Sequence, residues 1–185
     1  MQKILLTLLL TLFTFSLLAD EKPGRFFEDQ PDIDDDYQIH VNYFLGKKGK
    51  DKERDLNGWI EKEVKKIDDL FFKMTKNQQR FKFDYRKDGK LDVSFVRMDG
   101  KALNNKGWNM NYPDYFLQKN GFNNPKKIYF SFVEAKHRDG GMMGPHHGYL
   151  FIKSVGKKVS PVGVHELLHG LGFAMACTKG VTRGK

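Results

Sequence analysis

Apolar and polar residues alternate from Tyr37 to Leu45, which puts Ile39, Val41, Tyr43 and Leu45 on one face of a strand that ends in the turn Gly46-Lys47-Lys48-Gly49-Lys50. The period then lengthens. Ile60, Val64, Ile67, Phe71 and Met74 recur in steps of four and three, the signature of one helical face, with Asp55 as its expected N-cap and Glu61, Lys62, Lys65, Lys66 and Asp69 pointing away. Phe81–Tyr85 and Leu91–Val96 flank Lys87-Asp88-Gly89-Lys90, so a hairpin is predicted there. Pro113 opens a short helix through Gln118, closed by Asn120-Gly121. Strands are predicted at Lys127–Ala135 and Tyr149–Ile152, and the glycine-rich run from His137 to Gly148 between them is expected to lack regular structure. Ser160-Pro161 starts a last helix. The order predicts an α+β (or α/β) domain, a single mixed, twisted sheet with a long core helix and a C-terminal helix packed on it.

Two segments stand apart from this pattern. Residues 1–19 carry Lys3, an apolar run from Ile4 to Leu18 and the small residue Ala19 before Asp20, as a secretory signal peptide does. Residues 20–36 are acidic and broken by Pro23, Gly24 and Pro31, and are expected to be a solvated, flexible lead-in whose carboxylate spacing fits no calcium-loop template. Residues 37–185 are then one domain. A total of 185 residues, 39% apolar and 30% charged, is enough to bury a core and excludes a disordered tail. The formal charge of +9 is spread as scattered lysines, and no nucleic-acid motif accompanies it. After removal of the signal no segment reaches a membrane span, and the expected destination is the periplasm or the extracellular space, with a monomer the expected state.

The chemistry lies in the last helix. His165 and His169 are four residues apart, one turn, so both imidazoles project from one face and are able to reach a single ion, while Glu166 stands at the edge of that face. Neutral imidazole suits Zn2+, which acidifies a water and polarises a carbonyl, and an adjoining carboxylate then acts as general base. His165 and His169 are therefore the candidate zinc ligands and Glu166 the catalytic candidate, with a protein or peptide as substrate.

The string HELLHGLGF resembles the metzincin type of zinc metalloprotease, whose pattern is His-Glu-x-x-His-x-x-Gly-x-x-His or Asp; His165, Glu166, His169 and Gly172 match it. The resemblance implies a secreted endopeptidase in which Gly172 turns the chain after the helix. It also implies that an extended substrate adds to a sheet edge beside that helix. The place of the third ligand is held by Met175, whose thioether does not suit zinc, and the methionine turn of the family is absent. Three sources of a third ligand stay open: a segment beyond Lys185, which would also hold a partner for the lone Cys177; His137, His146 or His147 on the glycine-rich run; or Cys177 itself. Two other functions remain in view. One is a zinc-binding relative without activity, the other a secreted basic module that binds anionic surfaces.

Overall fold

The computed structural model describes residues 22–98 and 110–172. Five strands form one mixed sheet in the order β2-β1-β3-β5-β4: β1 (Gln38–Gly46), β2 (Val93–Met98), β3 (Lys127–Val133), β4 (Gly141–Met143) and β5 (His147–Phe151). β1, β2, β3 and β5 run parallel to one another, and β4 pairs antiparallel with β5 at the edge, Met142 opposite Tyr149. The helices are α1 (Trp59–Met74), α2 (Asn111–Lys119), the single turn α3 (Ile152–Val155) and α4 (Val159–Gly170). The class is α+β. No helix among the described residues is long and apolar enough to cross a membrane.

Both faces of the sheet are covered, as parallel strands require. On one face Ile39, Val41, Tyr43, Phe130, Phe132 and Leu150 pack with Ile60, Val64 and Ile67 of α1 and Val164 and Leu167 of α4. On the other, Phe44, Val96, Tyr129, Tyr149 and Phe151 pack with Leu117 of α2 and Phe122. The two helices of the first face meet at Gly163, where a Cβ would fall 2.5 Å from Ile67 Cδ1, so the missing side chain permits the close crossing.

Several local expectations are corrected. Asp55 does not cap α1; its carboxylate is taken by Arg25, and Asn57 Oδ1 accepts from the Trp59 amide instead. Ser160 does not start α4, because the chain enters that helix directly from α3 and a 3₁₀ turn, Gly156–Lys158, and the helix begins at Val159. The hairpin is reduced to its turn and one antiparallel bridge, Tyr85 with Leu91, since Phe83 pairs in parallel with Ile39 of β1. The glycine-rich run contains β4, where the sequence predicted no regular structure. The lead-in is pinned along its described part: Phe26 bridges Ser94, and the Arg25 side chain is 0% exposed between Asp51 and Asp55. Residues 1–19 lie outside the described residues, as do Met175 and Cys177.

Candidate metal centre on helix α4

The C-terminal half of α4 presents His165 outward and His169 at the rim, with Glu166 turned inward toward the sheet edge. The two Nε2 atoms are 3.0 Å apart and the ring planes cross at 83°. Two nitrogens bound to one tetrahedral zinc at the usual bond lengths lie roughly 3.3 Å apart. The pair thus fits a common ion after a shift of a few tenths of an ångström. Without one, the Nε2–H of one ring donates to the other.

Glu166 is 6% exposed, and its seat is made by a glycine. A Cβ on Gly141 would lie 2.5 Å from Glu166 Oε1 and 2.8 Å from Cδ, so the carboxylate occupies the space that any side chain at the start of β4 would fill. Burial, reinforced by the Asp139 carboxylate and opposed by His165, lifts the Glu166 pKa above the ordinary carboxylate value. Met143 fixes the other end of the same strand. It lies in two notches, Gly148 of β5 and Gly170 of α4, where an added Cβ would come within 2.3 Å of its Sδ and 2.1 Å of its Cε. Edge strand and motif helix are in this way held face to face.

The remaining histidines are dispersed. His147 is buried on the opposite face of the sheet, stacked on Tyr129 with centroids 5.5 Å apart, and burial pulls its pKa from the ordinary 6.5 down to about 4. His137 stacks on Phe151 at 4.7 Å, and its amide donates to Ser154 Oγ. His146 is exposed and, with Pro145, Gly170, Leu171, Ile128 and Phe71, lines a cavity of about 580 Å³ at the end of α4. Among the described residues no third His, Cys, Asp or Glu joins the His165–His169 pair in a three-ligand group. Gly172 has φ +82°, the left-handed conformation that turns the chain after the helix, and its amide donates to the His169 carbonyl at 2.9 Å.

The structure also gathers a group able to hold a metal ion elsewhere, from Asp29, His40, Asp84 and Asp92, with one ligand atom from each lying within 4.8 Å of the others. It sits under the α2 face, where Lys127 Nζ joins Asp29 at 2.6 Å and Asp84 at 2.7 Å. Burial raises the Asp92 pKa, whereas His40 and Lys127 outweigh burial at Asp84 and lower it. Ser94 Oγ lies 3.0 Å from His40 Nε2 and Asp84 Oδ2 lies 3.0 Å from His40 Nδ1, the order of a nucleophile, base and carboxylate. Ser94 is 0% exposed, so no substrate carbonyl reaches its oxygen. This group escapes a linear reading because its members come from the lead-in, from β1 and from both sides of the Asp88-Gly89 turn. The one local signal is the polar series Gln38, His40 and Asn42, which reads as a solvated strand face and is in fact buried.

The chain matches no protein-family model, no curated protein and no solved structure.

Proposed function

We propose that the protein is an exported, metzincin-like zinc-dependent endopeptidase in which His165 and His169 hold the metal and Glu166 is the general base. The observation that carries this reading is the 3.0 Å separation of the two Nε2 atoms on one helical face, with a buried carboxylate beside them. Zinc, when bound, supplies a polarising charge and a water acidic enough to ionise near neutral pH. Glu166 accepts the proton of the attacking water and delivers it to the leaving nitrogen, a task suited to a carboxylate whose pKa is raised toward neutrality. The antiparallel edge strand β4 lies against α4 and, among the described residues, leaves its outer side without a partner strand, which supports the capture of an extended peptide by main-chain hydrogen bonds.

The two-ligand set among the described residues favours a second reading, metal binding without turnover. Elemental analysis of the purified protein together with peptide hydrolysis by wild type and Glu166→Gln separates them. The first reading expects zinc in both proteins and a loss of about 10²–10⁴-fold in hydrolysis for the variant. Zinc in both with no hydrolysis by wild type establishes the second.

A further inference from the structure

We infer that the group Asp29, His40, Asp84 and Asp92, buried but for the partly exposed Asp29, is a second metal site, structural in role, for a divalent transition ion, separate from the His165–His169 pair. Its members share the α2 face of the sheet, and the inference does not depend on the peptidase reading. His40 Nδ1 faces three carboxylates, at 3.0 Å from Asp84, 3.3 Å from Asp29 and 3.6 Å from Asp92. One ring nitrogen carries at most one proton and so donates to one of them. Ligand atoms that share a tetrahedral metal at bond lengths of 2.0–2.2 Å stand roughly 3.3–3.6 Å from one another, which matches the Asp29 and Asp92 contacts as they are and the Asp84 contact after a shift of a few tenths of an ångström.

Asp92 supplies an independent observation. It is 1% exposed, Oδ2 accepts from the Gln30 amide at 2.8 Å and faces His40 Nδ1 at 3.6 Å, and Oδ1 is buried without a hydrogen-bond partner among the described residues. Buried carboxylate oxygens are paired or bind cations, and one left bare costs free energy. Charge points the same way. Lys127, which bonds both Asp29 and Asp84 and also the partly exposed Asp32, offsets one of the three negative charges, and a divalent ion offsets the other two. With the Nε2–H donating to Ser94 Oγ at 3.0 Å, the Nδ1 lone pair is turned toward the carboxylates, the outer-shell arrangement usual for a metal-bound imidazole. One nitrogen and three carboxylates suit Zn2+ or Mn2+, whereas Ca2+ requires six to eight oxygens.

The test uses the full chain carrying His165→Ala and His169→Ala, which removes the α4 pair. After chelation and dialysis, addition of Zn2+ or Mn2+ is expected to restore one equivalent of metal and to raise Tm by roughly 5–10 °C at a hundredfold excess over Kd, while Ca2+ does neither. Asp92→Asn in that background should abolish uptake. Ser94→Ala, which leaves all four ligands in place, should weaken it 10–100-fold and decides the matter where Asp92→Asn does not fold. Failure of the double variant to take up either ion, or Ser94→Ala binding metal as tightly as its parent, overturns the site. So does a Tm gain from Asp92→Asn that is equal with and without metal.

Discussion

At Gly141 the missing side chain is what leaves Glu166 its place, because any Cβ there would lie within 2.8 Å of three atoms of that side chain. Gly141→Ala is therefore expected to swing the carboxylate away from the histidine pair without touching either ring. A displacement of about 1 Å at a reacting group costs on the order of 10²-fold in rate. Kinetic assay should show a fall of that size in kcat with KM little changed, and elemental analysis should show unchanged zinc content. A fall in zinc content equal to the fall in kcat would mean that the glycine supports the ligands and not the base. His147 is a residue-scale case of the opposite kind, since it serves the sheet and titrates against it. With a folded pKa of about 4 against an ordinary 6.5, it is neutral in both states above pH 6.5 and makes no pH-dependent contribution there. As pH falls from about 6.5 toward 4 the unfolded chain takes up a proton that the folded chain refuses, so stability drops, by up to about 3 kcal/mol. Urea midpoints at pH 7 and pH 4.5 should differ less in His147→Phe, which keeps a ring against Tyr129 and removes the titrating nitrogen.

At the scale of elements the decisive contact is the crossing of α1 and α4 at Gly163, which sets the motif helix against the core. Alanine at position 163 gains up to about 1 kcal/mol in helix propensity but drives a methyl into Ile67, and overpacking of this kind costs about 1–3 kcal/mol. A net loss near 1 kcal/mol is the expected result by chemical denaturation. Ile67→Val, which withdraws Cδ1, should cost less in the Gly163→Ala background than alone, and additivity of the two changes would show that the contact is not the cause. The same elements mark how much was legible in advance. The face Ile60, Val64 and Ile67 and the pair His165 and His169 were legible because both depend on steps of three and four within one helix, which one turn of backbone converts directly into a shared face. Caps were less legible, because Asp55 has a stronger partner in Arg25, thirty positions away, and Ser160 follows a turn that is already helical. β4 was hidden for another reason. Gly140 before it and Gly141 at its start are poor strand formers taken alone, and they admit Val155 and Glu166 from other elements. The Asp29–His40–Asp84–Asp92 group is wholly nonlocal, and no period in the chain announces it.

For the molecule as a whole, the acidic lead-in is the segment whose role changes most when the fold is known. Its carboxylates close over basic residues at the ends of the strands, Asp34 and Asp36 on Lys82, Asp35 on Lys126, and Asp29 and Asp32 on Lys127. Most of these pairs are solvent-facing and worth little individually. Arg25 is different in kind. Its guanidinium makes a two-point contact with Asp55 at 2.7 and 2.9 Å, reaches Asp51 at 2.9 Å and lies 3.9 Å over the Phe95 ring, with no exposure of its side chain. Asp55 precedes α1 and Phe95 belongs to β2, so this one side chain fastens the lead-in to the helix start and to the sheet together. Removing one partner of a buried pair leaves the other charge stranded at a cost of about 3–5 kcal/mol, whereas replacing both by apolar groups is often neutral. Arg25→Met should accordingly lower stability by that amount, and Arg25→Met with Asp55→Leu should recover much of it. Limited proteolysis gives the spatial readout. Cleavage within residues 22–36 should accelerate in the single variant before the remainder of the chain opens, because the segment is then held only by the Phe26 bridge to Ser94, the Gln30–Asp92 bond and the acidic contacts to Lys82, Lys126 and Lys127. Cleavage at an unchanged rate would show that the acidic contacts suffice and that Arg25 stabilises only the start of α1.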